Sequence, residues 1–274
     1  MSKKKLLIVT QELDPYTGLS EIATLVSKLP QYAQDKGGFE IRILMPRYGT
    51  INERRHRLHE VVRLSGMNII IDDDDYPLII KVASLPASRL QVYFLDNEDY
   101  FKRKSVFEDD EGKSFDDNHE RMVFFSKSAL EIVRKFGWAP DIIHVHGWMT
   151  SLIPLFVKSV YQNEPIFKNS KVVYSLYDNS SLSNVPANFE AKAGINNMDQ
   201  ALLATYTEGE QFTEHRGAMH YADAVIKGSE IISENVLSMI PTEKPVLEYH
   251  GAETYLPSYV DFYKSLLIAP EEEK

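Results

Sequence analysis

The chain has 274 residues, 43% hydrophobic and 26% charged, with a formal charge of −10 and no cysteine. That balance suits one large globular α/β domain, excludes disulfides, thiolate metal sites and cysteine nucleophiles, and counts against nucleic acid and anionic membranes. No apolar run approaches the roughly 18–20 residues that cross a bilayer, and the short one after Lys5 meets Gln11 and Glu12 too soon for a signal peptide. A reducing, cytoplasmic setting without membrane contact is the expectation.

Lys5–Thr10 reads as a buried strand, and Ser20–Lys36 as a helix with Ile22, Leu25, Val26, Leu29 and Tyr32 on its apolar face. Ile41–Met45 is a second strand. Three further strands, Glu60–Ile71, Leu78–Ser84 and Leu90–Leu95, are separated by turns at Asp72–Tyr76 and Pro86–Arg89. A helix over Asn118–Phe136 leads to strand Asp141–Val145, helix Thr150–Tyr161 and strand Lys171–Leu176. Helices are expected at Met198–Tyr206 and Thr213–Tyr221, a strand at Ala224–Lys227 and a helix at Glu230–Ile240. The segment 254–274 reads as a C-terminal helix and tail, frayed over Pro270–Lys274. This alternation predicts an α/β fold: a Rossmann-like, doubly wound, mostly parallel sheet with a β-hairpin insertion, forming a single domain over 1–274.

Such sheets bind ligands beyond the carboxyl ends of their strands. The loops to inspect are Gln11–Leu19, Pro46–Thr50, His144–Thr150, Tyr177–Asn184 and Gly228–Glu230. His144, His146 and Trp148 share one face at period two if the strand continues that far. Two such imidazoles could hold a metal, act as acid and base, bind a sugar hydroxyl beside the Trp ring, or be hydrogen-bonded structural groups. No third ligand has a recognisable spacing, so no metal is expected. The Tyr16–Glu21 loop could offer helix amides to an anion, or Ser20 could simply be an N-cap. There is no GxGxxG after the first strand, no GxxxxGK[ST], no GxSxG and no HExxH, so no cofactor is expected either. The acidic runs Asp72–Asp75 and Glu108–Glu111 read as solvated surface.

Several longer stretches belong together. Leu6–Tyr16 (LLIVTQELDPY) carries Glu12 and Pro15; Ile43–Gly49 (ILMPRYG) ends a strand in Pro-x-Tyr; Val92–Phe94 precedes Asp99–Phe101. Asp117–Ser126 (DNHERMVFFS) continues through Pro140–His144, and Tyr221–Val225 (YADAV) is followed by Ser229. In order and spacing these resemble the N-terminal half of bacterial glycogen and starch synthases, the retaining ADP-glucose glucosyltransferases. The resemblance implies half of a GT-B architecture, in which two Rossmann-like domains face each other across a cleft. The first domain there carries mainly the acceptor glucan, and the second most of the nucleotide-sugar site. The chain stops at Lys274, near where the second domain would begin. With that domain absent, independent turnover is not expected.

The family's motif residues are altered as well. Ungapped counting puts Gly18-Leu19-Ser20-Glu21 at the family's Lys-Thr-Gly-Gly, so a cation near the donor phosphates is lost and Glu21 adds a negative charge. Sliding the alignment to Thr17-Gly18 still leaves Tyr16 in place of the Lys. Thr24 stands for an Asp, His146-Gly147-Trp148-Met149 for (H/N)-D-W-(H/Q), and Ser175-Leu176-Tyr177-Asp178 for T-x-H-N, with Tyr in place of the active-site His. The resemblance therefore implies a non-catalytic α-glucan-binding or regulatory module with no catalytic residue of its own. Its substrate-binding groove would use Glu12, Tyr16, Thr17, Gly18, His144, His146, Trp148 and Tyr177. The alternatives are half of a glucosyltransferase completed by a separate partner domain, and a protein-interaction scaffold, self-association included.

Overall fold

The computed structural model describes residues 3–86, 88–178, 182, 184–195 and 198–268. The expected frayed tail lies outside the described residues, as do 179–181 and 183 of one strand-end loop. In chain order the elements begin with β1 (Lys5–Thr10), α1 (Glu21–Asp35), β2 (Glu40–Pro46), α2 (Glu53–His56), β3 (His59–Glu60), β4 (Met67–Ile71), β5 (Asp74–Ser84) and β6 (Gln91–Asp96). Then come α3 (Glu98–Phe101), α4 (Asn118–Phe136), β7 (Ile142–His146), α5 (Ile153–Lys158), β8 (Lys171–Leu176), α6 (Phe189–Ala193), β9 (Thr207–Glu208) and β10 (Gln211–Phe212). The series closes with α7 (Glu214–Tyr221), β11 (Ala224–Lys227), α8 (Glu234–Leu237), β12 (Val246–Leu247) and α9 (Tyr255–Leu266).

The main sheet runs β12-β11-β8-β7-β1-β2-β6-β5-β3, with β4 paired to β5. From β12 to β6 every pairing is parallel; β5 joins β6, β3 and β4 antiparallel. The mostly parallel sheet with a hairpin insertion is therefore present as read from the sequence. Parallel strands covered on both faces need apolar side chains throughout, which KLLIVT, IIHVH and KVVYSL supply almost entirely. α1 packs on β1 and β2, whereas α4 packs on β6 and α5, and α5 and α7 on β8 and each other; the strand order runs in opposite directions across these connections, so the right-handed rule assigns the two sets to opposite faces. The terminal helix α9 packs on α1.

The strand ends are level. Thr10 pairs with His146, His146 with Ser175, and Ser175 with Ile226, so the loops after β1, β7, β8 and β11 open at one edge. Because the chain moves outward from β1 in both directions, its carboxyl end is the topological switch point.

Several boundaries differ from the sequence reading. Glu60–Ile71 is not one strand: β3 and β4 flank a turn over 62–64, and Gly66, with a φ of 81°, leads into β4. The turn expected over Asp72–Tyr76 shrinks to Asp72–Asp73, with Ile71 paired to Asp74. Asp72 takes a φ of 56°, a conformation its short polar side chain tolerates. Thr150–Tyr161 splits into a 3-10 turn at Trp148–Thr150 and α5, and Met198–Tyr206 becomes a 3-10 helix over Gln200–Tyr206. Glu230–Ile240 keeps only the four residues of α8, and Ile231 lies outside it, 85% exposed. The acidic runs 72–75 and 108–111 are exposed. Among the described residues no helix is long and apolar enough to cross a membrane.

Candidate active site

At the switch point the first loop is held by its own carboxylate. Glu12 is buried, and its Oε2 accepts the backbone N–H groups of Leu19 and Ser20, each at 2.8 Å. Its Oε1 accepts Ser20 Oγ at 3.0 Å and Gln11 Nε2 at 3.2 Å. Amides leading into a helix are the groups a ligand anion would take; here Glu12 takes them. Ser20 also caps α1, its Oγ accepting Ile22 N–H at 3.2 Å. Both sequence readings of this loop thus resolve into one intramolecular arrangement. Thr17 closes the turn by accepting Leu13 N–H through its carbonyl at 3.1 Å. Gly18 lies so close to the Asp14 carboxylate that a Cβ there would sit 2.5 Å from it. Tyr16 points away toward the hairpin: its hydroxyl donates to the Ser84 carbonyl at 2.9 Å, and its ring meets Phe94 edge-on.

The second group is the histidine pair. β7 ends at His146, and Gly147, at a φ of 87°, turns the chain out of the strand. A side chain on Gly147 would collide with Gln11, its Cβ 2.2 Å from that residue's Cδ. Trp148 therefore does not share the face of His144 and His146, as period two would have it; it packs edge-on against Phe107. His144 and His146 are 0% exposed, with ring centroids 3.8 Å apart. His144 Nε2 bonds Ser175 Oγ at 2.7 Å, and its Nδ1 meets the Tyr263 hydroxyl at 2.6 Å and His146 Nε2 at 3.1 Å. His146 Nδ1 meets the Tyr177 hydroxyl at 2.9 Å. The protons can run along this chain in either direction. In both, each ring carries one proton and every ring nitrogen has a partner. Burial holds both imidazoles neutral, pushing His146 down to about 3 and His144 well below its ordinary range, with His146 adding to the latter effect.

Tyr177 completes the closure. Its ring lies against Gly228, where an added Cβ would stand 2.4 Å from Tyr177 Cε1. Tyr177 and Trp148 are each 1% exposed and Tyr16 is 6% exposed. The expectation of aromatic rings lining an open strand-end mouth is corrected accordingly: these rings are in the core. Against the Tyr177 position, Ser229 Oγ donates to the Glu21 carboxylate at the first turn of α1.

Tyr259 and Tyr263 of α9 were missed by the sequence reading. Tyr255, Tyr259 and Tyr263 recur every four residues and are all buried, a helical stripe that could have identified this helix as a wall of the site. The stretch Asp117–Ser126 opens α4, and its buried Arg121 donates to the Tyr100 carbonyl at 2.9 Å and to Asn118 Oδ1 at 2.7 Å, an anchoring role. Among the described residues no group of three or more His, Cys, Asp or Glu side chains could hold a metal.

Residues 5–244 match the starch synthase catalytic domain family. A glycogen synthase of Chlorobium phaeobacteroides is 42% identical over 175 residues, covering 64% of this chain and 36% of the relative. A glycogen synthase of Chlorobium chlorochromatii is 41% identical over 183 residues, covering 66% and 37%. The chain thus spans little more than a third of these curated relatives. The solved catalytic domain of starch synthase IV from Arabidopsis thaliana, bound to ADP and acarbose, superposes with a TM-score of 0.71 at 19% identity. That match covers 96% of this chain and 50% of the other, and it shows the shared fold.

Two outcomes follow from the packing. Gly228 needs no positive φ, so Gly228→Ala should cost about 1–3 kcal/mol only through the Tyr177 ring. In a Tyr177→Ala background the same change should cost less than about 0.5 kcal/mol, measured by urea denaturation as a double-mutant cycle. Equal costs in both backgrounds would contradict the packing. The second concerns pH. His119, pushed by burial down to about 4, and His146, down to about 3, bind protons when unfolded near pH 6.5 but not when folded. Stability is then full above pH 6.5 and falls as pH drops toward the folded values, by about 1.4 kcal/mol per unit for each group. Unfolding free energies between pH 7 and 5 should show this loss; a flat profile would contradict it.

Proposed function

The chain belongs to the starch synthase catalytic domain family, and from that premise we propose that it is an α-glucan-binding or regulatory module that does not itself transfer glucose. One observation carries the reading: the strand-end groups are consumed by one another. Transfer from a nucleotide sugar needs charge stabilisation where the diphosphate leaves. Here the loop amides hold Glu12, Glu21 stands beside them, and the ring nitrogens of His144 and His146 are all partnered. Tyr177 occupies the space in front of His146. Ancestry supports a saccharide as the ligand, the related Arabidopsis domain having been solved with ADP and acarbose.

A second reading, that a protein covers the strand-end face, is favoured by exposed apolar side chains after three strands. Leu19 is 59%, Ile231 85% and Tyr249 36% exposed. A separately encoded second domain or a second copy of the chain would suit that surface, and sizing at rising concentration would reveal the latter.

The purified chain should incorporate no glucose from ADP-glucose into glycogen above background, yet be retarded by glycogen in affinity electrophoresis. Incorporation by the chain alone would overturn the non-catalytic reading. Unchanged mobility would overturn glucan binding.

A further inference from the structure

Two runs of opposite charge stand on the hairpin insertion that ends the sheet. Within residues 54–63, Arg54, Arg55, Arg57 and Arg63 face a single acid, Glu60, a net +3 in a chain of −10. All four arginines are exposed, and none takes an ion-pair partner among the described residues. Other arginines are neutralised at home: Arg47 by Glu53, Arg103 by Asp117, Arg134 by Glu131 and Arg216 by Glu208. Val62, 77% exposed, sits within the basic run. The acidic run Asp72–Asp75 is its counterpart: four exposed carboxylates, again without an ion pair among the described residues. Beside it Ile70 is 60% exposed.

The two runs share one edge. β3 is the last strand of the sheet and β4 pairs only with β5, so β3 and β4 form the open side of the insertion. Arg57 leads into β3, whose His59 pairs with Val82, while the acidic run turns into β5 at Asp74. From Val82 to Asp74 is at most about 26 Å, at roughly 3.3 Å per residue of strand. Open edges are usually protected by charged side chains, and like charges repel a second edge. Here the signs are opposite and separated, so a second copy laid antiparallel meets attraction at both ends. The overall charge of −10 repels an extended polyanion, which leaves a compact acidic segment as the fitting occupant, and the chain carries one itself.

We propose that this edge is a self-association surface. Two copies pack about a two-fold axis, the arginines of each against Asp72–Asp75 of the other, with Val62 and Ile70 filling the contact. Such an interface is self-complementary and closes at the dimer. Guanidinium groups can take carboxylates bidentately, which fixes the register. Because exposed charges dominate it, the association is weak and salt-sensitive. The surface is separate from the strand-end face, where the exposed apolar groups are Leu19, Ile231 and Tyr249.

Sedimentation velocity of the full chain tests this from about 10 μM to about 1 mM, in about 20 mM and about 500 mM NaCl. The expected result is a monomer–dimer equilibrium at low salt that weakens at least about ten-fold at high salt. Arg54→Glu/Arg55→Glu and Asp73→Lys/Asp75→Lys should each abolish the dimer. An equimolar mixture of the two variants should restore it, because each altered run then meets its opposite. Val62→Ser should weaken the dimer, and Ile231→Ser, on the strand-end face, should leave it unchanged; thermal melting checks that each variant is folded. A monomer under every condition would overturn the proposal. So would a dimer that survives both charge reversals, a mixture that stays monomeric, or a dimer that Ile231→Ser dissolves.

Discussion

Two imidazoles with ring centroids 3.8 Å apart and no exposed surface persist only if both are neutral and each nitrogen is partnered. That requirement organises the carboxyl edge of the sheet. It brings Ser175 of β8 beside His144 and the Tyr177 hydroxyl against His146. It also ties α9 to the middle of the sheet through Tyr263, 119 residues further along the chain than His144. Each partner then shapes the next layer. The Tyr177 ring fixes residue 228 as glycine. In an interior of low dielectric such a network is stable because it is fully satisfied; losing the hydroxyl of Ser175 or of Tyr177 would strand a ring nitrogen.

The first loop obeys the same logic with a charge. Amides at the entry to a helix attract an anion, and Glu12 supplies it from within the chain. Gln11 links that carboxylate to the next loop: its Nε2 reaches Glu12, its Oε1 accepts Met149 N–H at 3.3 Å, and its side chain excludes any Cβ at Gly147. Tyr48 adds a third loop by donating to the Gln11 carbonyl at 3.0 Å. Loops that in a doubly wound sheet usually surround a ligand are thus fastened to one another. The chain has the fold of the starch synthase catalytic domain family, and its own strand-end groups support one another.

Much of the architecture was legible in the sequence because continuous apolar strands between amphipathic helices admit few arrangements. The hairpin was visible as closely spaced strands with a turn between them, although the limits of that turn, Asp72–Asp73, were not, since four acids in a row hide which one takes the left-handed conformation. Glu12, Gly18, the histidine pair and Tyr177 were rightly placed near the strand ends; their exposure was not legible. Whether the pair faces a cleft or the core depends on Tyr177 beside His146 and on Tyr263, of a distant helix, beside His144, and no local pattern encodes those contacts. Trp148 was misdirected by an alternation that Gly147 breaks with one positive φ. The Tyr255–Tyr259–Tyr263 stripe was the available signal for the missing wall.

His144 and His146 are sealed, neutral interior groups and not residues of an open site. Long-range proton–nitrogen NMR correlations of the imidazole rings read this directly, because the nitrogen shifts distinguish neutral from protonated rings. At pH 5 both rings should be neutral, with His146 titrating only toward about pH 3, where burial places it. Protonation of either ring near the ordinary pH 6.5 would mean that water reaches the strand ends, and would contradict the account.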